Sequence, residues 1–573
     1  MRLVLPALAR AAIGGSLALA CAKVHPGPGT SVQLPDAAAP APDVRPPIAD
    51  AASRDLGQGI KEDAADAAPM AGDPTTCEQA AKYRTYVGCD YWPTVVANNV
   101  WSIFDFTVVV ANGQTAPADV TVTGPGGVRQ STSVAPGSLS KIYLPWVADL
   151  KGPDIDNCGS AMPLVASVIS PKGAYHLVSS LPVTVYQFNA LEYKGQGGPP
   201  GKVWTSCPGR QICQASSAAS GCFSFSNDAS LLLPSTAMTG NYRITGIHGW
   251  SEVDIIGGPY DVMGAYFAVT ATQDATTVKV ALSAQSQTLA GGAIAATGPG
   301  RVLTLTLGQG DVAQVVSPIG NRYDFSGSLV SADKPVQVLT GIPCINLPQG
   351  NQSCDHVEES VLPAETLGKH YFVPAPTGPN GAAVGHILRL YGNVDGTTLT
   401  YAPAKPPGCP ATLNAGAVGD CGTVTTDLEI HGDHEIGVST FLLGAQLIDP
   451  QRDVTKSRGD PSQSVAASVE QYRTKYVFLA PDDYDVSFAD VVGPTEARLA
   501  LDGAPVVTPF APIGTTGYGV ARIQLGPGVS GAHVLAASMP VGLQVVGYGF
   551  ATSYEYPGGL NLDLIAPSPP IVP

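Results

Sequence analysis

One short segment concentrates side chains that could do chemistry. It contains four polar residues: Asp355, His356, Glu358 and Glu359. Carboxylates beside an imidazole can transfer protons as a general acid/base pair, and carboxylate oxygens can also bind a cation. The alternative is structural, namely a turn closed by a Cys344–Cys354 disulfide in which His356 and an acid bond to the backbone. The segment is therefore a possible polar site, and the sequence leaves both interpretations open.

A second acidic segment suggests a weak calcium site. Its aspartates are Asp482, Asp483, Asp485 and Asp490. Calcium takes six to eight oxygen ligands, and closely spaced aspartates can supply several of them. The alternative is that these aspartates are solvent-exposed acids of a surface loop. No other metal and no cofactor is predicted, although a structural calcium ion is possible.

Motifs of common enzymes are missing from the sequence. It contains no H-E-x-x-H zinc segment and no phosphate-binding P-loop, and no G-x-S-x-G follows the first twenty residues. We therefore predict that the chain is not an enzyme. Carboxylate pairs of glycosidases come from distant strands and cannot be recognised by spacing. An extracellular hydrolase acting on glycans or peptides remains an alternative.

Composition restricts the class of protein. The 573 residues include 30 Lys and Arg against 46 Asp and Glu, which gives a net charge of −16 and makes nucleic acid an unsuitable partner. Hydrophobic residues make up 44%, enough for a folded core. The 65 Gly and 51 Pro residues indicate many short strands joined by turns.

The N-terminal residues predict export. Arg2 and Arg10 precede an apolar run that ends at Cys21, which is typical of a signal peptide over residues 1–20. The residues before Cys21 resemble a bacterial lipobox, so we predict lipidation of Cys21, with plain secretion as the alternative. The lipid would be the chain's only membrane contact. Residues 21–75 are rich in Pro and Ala and are predicted to be a disordered linker.

The cysteines that follow the leader predict disulfides. There are ten: Cys77, Cys89, Cys158, Cys207, Cys213, Cys222, Cys344, Cys354, Cys409 and Cys421. An even number in an exported chain favours a disulfide framework over a metal site. Local spacing suggests that Cys77 pairs with Cys89, Cys344 with Cys354, and Cys409 with Cys421. The pairing of the other four stays open.

Repeated strand patterns predict an all-β fold. Alternation of apolar and polar residues over 104–108 and 303–307 is typical of half-buried strands. Three segments recur at long intervals: a strand opening with a tyrosine (Tyr86, Tyr242, Tyr371, Tyr476), a strand after an aspartate, and a Val-rich strand after a turn. We predict about four divergent, tandem β-sandwich-like modules over residues 76–195, 196–346, 347–450 and 451–573.

Residues around these repeats resemble a known family. The segments 334–338, 354–359, 362–363 and 368–371, together with 458–462 and 479–484, resemble the N-terminal domain of the IgG Fc-binding protein family. The resemblance covers roughly residues 80–555 and is most specific in the Asp355-His356-x-x-Glu359 segment. It implies an extracellular binding region; immunoglobulin binding gave the family its name.

Together these observations predict a recognition or adhesion protein without catalytic activity. It would be held at the cell surface or outer membrane by its lipid, or else be secreted. Its partner would be an extracellular protein or glycan that the sequence does not identify. Exposed aromatic residues could line the binding surface, although tryptophan is more often used in cores; the candidates are Tyr91, Trp92, Trp101, Trp204 and Trp250. A purely structural envelope component is a further alternative.

Overall fold

The architecture comes from a computed structural model. It describes residues 73–156, 160–208, 221–253, 258–351, 354–450, 456–526 and 531–572. The predicted signal peptide, nearly all of the linker, Cys21, Cys158 and Cys213 lie outside these ranges. All of these described residues belong to one compact unit. Among the residues described, no helix is long and apolar enough to cross a membrane.

The predicted all-β class is confirmed. The first strands are β1 Gly88–Tyr91, β2 Phe106–Ala111, β3 Ala118–Gly124, β4 Val128–Val134, β5 Leu139–Leu144, β6 Val168–Ser170, β7 His176–Asn189 and β8 Ala229–Leu231. The next are β9 Asn241–Arg243, β10 Trp250–Val253, β11 Pro259–Met263, β12 Tyr266–Ala271, β13 Thr276–Ala281, β14 Val302–Leu307, β15 Val312–Val316, β16 Leu329–Ala332, β17 Val336–Ile345 and β18 Asp355–Ser360.

The C-terminal half continues the same pattern. Its first strands are β19 His370–Val373, β20 His386–Gly392, β21 Thr397–Ala402, β22 Thr412–Leu413, β23 Val418–Val424, β24 Leu428–Gly432, β25 Ile436–Leu442 and β26 Gln463–Val465. Its last are β27 Arg473–Leu479, β28 Val486–Pro494, β29 Leu499–Leu501, β30 Ala504–Pro505, β31 Ala511–Pro512, β32 Tyr518–Leu525, β33 Ala532–Gly549 and β34 Thr552–Pro557. The α-helices are short: α1 Cys77–Tyr83, α2 Ala148–Lys151 and α3 Ala445–Ile448.

The pairing of these strands repeats four times. In the first unit β7 pairs with β1, β2, β3 and β8, while β3 pairs with β4 and β2 with β5. The fourth unit has the same antiparallel scheme around β33, which pairs with β27, β28, β29 and β34. In the second and third units, two consecutive strands take the place of the long strand β7 or β33. These are β16 and β17 in the second unit, and β24 and β25 in the third. The result is a series of sandwich-like units.

The recurring Val-rich segment marks where the chain changes sheet. In the second and third units it lies at the turn between the two strands. In the first, Pro182 lies where β7 stops pairing with β3 and starts pairing with β2, and Pro540 has the same place in β33. Proline has no N–H to donate, so it suits a point at which a strand leaves one ladder for another.

Each unit contains a buried tyrosine whose hydroxyl group bonds to the recurring strand. The hydroxyl groups of Tyr91, Tyr242, Tyr371 and Tyr476 donate to the backbone carbonyls that open the recurring strand, those of Val183, Val336, Ile436 and Val541. The tyrosine of the first unit is Tyr91, so the prediction that placed Tyr86 in this set is wrong. Tyr86 instead accepts a hydrogen bond from the backbone N–H of Val477, 3.1 Å away, and so joins the first unit to the fourth.

The alternation predicted for residues 303–307 is confirmed, because β14 alternates exposed and buried side chains. The prediction for 104–108 is wrong in detail. The strand there is β2, which begins at Phe106 and is buried on both faces. It lies between β5 and β7 with the rest of the protein over both faces, so no side of it needs polar residues.

The closing strands of the four units meet at the centre. β8 contacts β18 and β34, and β26 also contacts β18 and β34, so the four form a closed ring of neighbours. Three of these strands pair across the predicted module boundaries, β8 with β7, β18 with β17 and β26 with β25. We call the place where β8, β18, β26 and β34 meet the hub.

Disulfides fasten loops around this framework. Within the described ranges the bonds are Cys77–Cys89, Cys207–Cys222, Cys344–Cys354 and Cys409–Cys421. Three of them join the cysteines that local spacing suggested. Disulfides form and persist in oxidising compartments, which indicates an extracellular setting for the chain.

Candidate functional site

The hub is lined by acidic side chains that are removed from water. They are Asp228, Asp355, Glu358, Glu359, Asp460 and Glu555, none more than 2% exposed. The four residues predicted as a polar site lie in β18, so the whole possible site is buried in the hub. The segment is a strand and not the turn that the structural alternative assumed. Its disulfide, Cys344–Cys354, joins the end of β17 to the residue before β18.

Asp228 connects three of the four units. Its Oδ2 accepts hydrogen bonds from the backbone N–H groups of Glu358 at 3.0 Å and Gln463 at 2.8 Å. Its Oδ1 accepts from the N–H of Ala229 at 2.9 Å. Burial raises the pKa of Asp228 well above its usual range, and the nearby carboxylate of Glu358 raises it further, while the three backbone donors act in the opposite direction.

Glu358 is held by amide and hydroxyl donors. Its carboxylate accepts hydrogen bonds from Asn189 Nδ2 at 2.5 Å and Ser230 Oγ at 3.1 Å. Nε2 of Gln187 approaches it at 3.4 Å. These donors all come from β7 and β8 of the first unit, so Glu358 ties β18 to that unit. A neutral amide at this position could keep part of the network.

His356 makes few polar contacts. Its Nε2 lies 3.6 Å from Glu358 Oε2, which is beyond a normal hydrogen bond. Neither ring nitrogen has a hydrogen-bond partner among the described residues. The ring lies nearly parallel to that of Tyr266, with 6.5 Å between centroids. The imidazole thus packs as a flat side chain against an aromatic residue.

The remaining hub acids also bond within the protein. Asp355 Oδ2 accepts from Thr552 Oγ1 of β34 at 2.9 Å, and its Oδ1 accepts from the N–H of His356 at 2.8 Å. Burial raises the pKa of Asp355 well above its usual range, and Asp460 adds to this effect. Burial likewise raises the pKa of Glu359 and of Asp460. Acids kept neutral in this way can donate as well as accept hydrogen bonds.

The geometry therefore suits an architectural role for the hub. Each acid is within a strand or beside one, and its partners are backbone groups or side chains of neighbouring units. A ligand could reach the β18 carboxylates only if the closing strands separated. Proton transfer or cation binding by Asp355, His356, Glu358 and Glu359 stays a prediction that this arrangement does not favour.

The four aspartates of the calcium hypothesis do not converge on one point. Lys141 Nζ lies 2.7 Å from Asp482 Oδ1 and 2.6 Å from Asp483 Oδ2, so a lysine already neutralises that pair. Asp485 accepts from Tyr193 OH, and Asp490 is buried on β28, where it accepts from the N–H of Thr377 at 2.8 Å. No group of three or more His, Cys, Asp or Glu placed to hold a metal occurs in the described part of the chain.

The aromatic candidates for a binding surface belong to the core. Tyr91, Trp92, Trp101, Trp204 and Trp250 are at most 9% exposed. Trp204, for example, packs on Phe104 with 5.1 Å between ring centroids. A surface built from these five residues is therefore excluded. They pack in the core, where tryptophan is more often found.

One exposed segment of the fourth unit lines two grooves. It comprises residues 505–514, which begin in β30 and end after β31, and we call it the ridge. The larger groove, about 430 Å³, is lined by Thr495, Ala497, Arg498, Leu499 and residues 505–510. The smaller, about 290 Å³, is lined by Pro512, Ile513 and Gly514 on one side and by third-unit residues on the other. Val507 at the top of the ridge is 94% exposed.

The sequence did not indicate this ridge. Its sequence, Pro505-Val506-Val507-Thr508-Pro509-Phe510, is typical of an ordinary strand bounded by prolines. Pro505 ends the two-residue strand β30, which pairs with β29, and Pro509 has no N–H to donate, so no regular ladder continues through residues 506–510. The two prolines on either side of the exposed Val507 were the available signal.

Comparison with known proteins identifies the family. A sequence model described as IgGFc binding protein matches residues 228–547, more than half of the chain. The chain belongs to the IgGFc-binding protein family. The matched stretch begins at Asp228 of the hub and includes β18 and the ridge.

A human relative gives a more limited likeness. The chain is 29% identical over 275 residues to a human protein named IgGFc-binding protein. That stretch is 47% of this chain and 5% of the human protein, so the chain spans a small part of its relative's length. No solved structure matches the chain.

Proposed function

We propose that this chain is an exported recognition protein that binds an extracellular protein ligand through the ridge at 505–514, without catalysis. The single observation that carries the proposal is the exposed Val507 in a segment that lines two grooves inside the family-matched region. Its family is named for binding, and the four disulfides of the described residues suit an extracellular setting.

The ridge has the composition of a protein contact site. The exposed side chain of Val507 contributes little to the stability of the chain itself. Its burial against a partner would stabilise the complex by ~1–2 kcal/mol. Arg498 in the larger groove adds one cation, and arginine is among the residues enriched at the energetic centres of interfaces. Each acid of the hub, by contrast, has at least one hydrogen-bond partner within the protein, while Glu359 Oε2 and Asp460 Oδ1 have none among the described residues.

The ligand's identity is a further part of the proposal. The human relative's name states that it binds the Fc region of IgG. A folded β-sandwich domain such as Fc is therefore the first probe to use. Glycans and mucin are the next, since the partner predicted from the sequence includes both proteins and glycans.

The test is a binding panel with the exported chain and two matched variants. Val507→Asp places a charge on the ridge, and Val165→Asp does the same at another exposed valine, 85% accessible, in the first unit. We expect saturable binding to a protein probe, reduced at least about tenfold by Val507→Asp and unchanged by Val165→Asp. Equal effects of the two variants would contradict a site at the ridge.

The same panel separates the alternatives. Cleavage of any probe would replace this proposal by a hydrolase. The absence of binding to every probe would favour a structural envelope component.

We also propose that a lipid on Cys21 holds the chain at the cell surface. Cys21→Ser should release the protein into the medium, and mass spectrometry of the wild-type N-terminal peptide should show acyl chains. An unmodified N-terminus at any other residue would contradict the anchor.

A further inference from the structure

Three side chains of the first unit surround one point beside Gly198. A Cβ atom added to Gly198 would lie 2.7 Å from Lys202 Cδ, 3.0 Å from Glu192 Oε1 and 3.4 Å from Asp105 Oδ2. Gly198 has a φ of +84°, a conformation that favours glycine, and its missing side chain leaves room for this convergence. Lys202 Nζ contacts Asp105 Oδ2 directly.

The convergence lies in a niche with little access to water. The side chains of Lys202 and Asp105 are 10% and 23% exposed, and Glu192 is 1% exposed. Lys202 Nζ lies 4.4 Å from the centre of the Trp204 ring. Trp204 belongs to an apolar cluster with Phe104 and the Cys207–Cys222 disulfide. An amine and a carboxyl group held in contact here compete with few water molecules.

Glu192 has no structural partner that would explain its burial. Beyond its own backbone N–H, neither carboxylate oxygen has a hydrogen-bond partner among the described residues. Burial, and then the nearby carboxylate of Asp105, raises the pKa of Glu192 to about 7, so the acid is substantially protonated at neutral pH. A buried acid of this kind, beside an amine and a second carboxyl group, is equipped to transfer protons between them.

We propose that Lys202 and Asp105 form a covalent amide bond, with Glu192 as the acid that catalyses it. The ion pair first exchanges one proton, which gives a neutral amine and a neutral carboxylic acid. Nζ then attacks Cγ of Asp105. Glu192 gives a proton to the departing hydroxyl and takes one from the nitrogen, so the C–O bond breaks, one water leaves and Glu192 returns to its initial state. Nothing is oxidised or reduced.

Holding the reacting groups together supplies much of what the reaction requires. Condensation of an amine with a carboxylic acid is slow in water because the amine is protonated and the acid ionised. Fixed contact with few competing water molecules makes the attack intramolecular, a change that can lower the barrier substantially.

The bond would fasten a long irregular segment to the first sheet. Asp105 precedes β2, and Lys202 lies in the loop that follows β7, 97 residues further along the chain. That loop is otherwise held by isolated contacts, such as Gly195 N to Cys222 O at 2.7 Å. A covalent link would resist pulling and proteolysis at a place where the chain has no ladder of hydrogen bonds.

Peptide mapping of the full chain tests the proposal. After reduction, alkylation and trypsin digestion, unlinked protein yields residues 195–202 and residues 85–129 as separate peptides. We expect the wild type to yield instead residues 195–210 joined to 85–129, lighter by one water than the two peptides together, because trypsin cannot cleave after a linked Lys202. Recovery of free 195–202 from the wild type in stoichiometric amount would overturn the proposal.

Matched variants assign the roles. Lys202→Arg keeps the charge and should abolish the joined peptide, whereas Lys194→Arg, a neighbouring lysine outside the niche, should leave it intact. Glu192→Gln should retain the fold and lose the link; a normal yield of the joined peptide from this variant would refute the role of Glu192. Asp105→Asn should still form the link with loss of ammonia in place of water, a result that a merely structural ion pair would not give.

Discussion

Glu555 in the hub should make the protein less stable as the pH rises. It lies on β34, is 2% exposed, and accepts a hydrogen bond from Thr440 Oγ1 at 3.3 Å. Burial raises its pKa to about 8 from an ordinary value of 4.5. The group therefore stays protonated in the folded protein at pH values where the unfolded chain has already lost the proton.

The sign and size follow from proton linkage. Between pH 4.5 and about 8 the folded state binds more protons than the unfolded state, so the free energy of unfolding falls as the pH rises. One such group contributes a slope of about −1.4 kcal/mol per pH unit and, over this range, at most about 5 kcal/mol. Its stabilising effect is complete below the unfolded pKa and is lost as the pH passes through 8.

Glu555→Gln removes this titration while keeping the size and an acceptor oxygen of the side chain. We expect the free energy of unfolding to fall less steeply with pH in the variant than in the wild type. Between pH 5 and pH 8 the variant should become more stable relative to the wild type by several kcal/mol. Urea unfolding followed by fluorescence of the buried tryptophans gives the free energy at each pH.

Glu78→Gln, at an exposed glutamate of α1, is the control and should leave the slope unchanged. Parallel curves for wild type and Glu555→Gln would refute the reasoning. That result would mean that water reaches the hub or that the carboxylate is ionised within it.

Three further stability predictions follow from single contacts. Tyr371→Phe leaves a buried carbonyl without its donor and should cost ~1–3 kcal/mol in urea unfolding, whereas Tyr260→Phe, half exposed, should cost little. Arg389→Met leaves Asp324, 2.6 Å from Arg389 and 3% exposed, as an unpaired buried charge; burial alone would raise the pKa of Asp324, but Arg389 keeps it low, so the variant should lose ~3–5 kcal/mol at pH 7 and less near pH 4. Removing the Cys344–Cys354 bond with Cys344→Ala/Cys354→Ala should lower the free energy of unfolding by ~2–3 kcal/mol, measured by urea unfolding of variant and wild type without reductant, so that the other disulfides stay intact.

Local patterns predicted the class of fold because they are properties of short segments. Alternation in 303–307 and cysteines ten or twelve residues apart each concern neighbours in the chain. The hub could not be predicted in this way. Asp228, Glu358 and Gln463 are separated by more than a hundred residues, and only the closed ring of units brings them together.

The meaning of the acidic segment also depended on tertiary structure. A sequence that contains Asp355, His356, Glu358 and Glu359 is polar by composition, which suggests exposure to solvent or a ligand. The structure buries it because other units supply donors such as Asn189 and Ser230. Likewise Tyr86 and Tyr91 both follow α1 within one stretch of chain, and only the contact to Val183 distinguishes the repeated tyrosine from its neighbour.

We propose that the ridge recognises a ligand while the hub maintains the fold. The most direct test is an affinity titration of the ligand found in the panel against wild type, Val507→Asp and Glu358→Gln, with the fold of each protein checked by urea unfolding. We expect Val507→Asp to weaken binding at least about tenfold with unchanged stability, and Glu358→Gln to lower stability with unchanged affinity of the folded fraction. Loss of affinity in Glu358→Gln with full stability, together with normal binding by Val507→Asp, would contradict it.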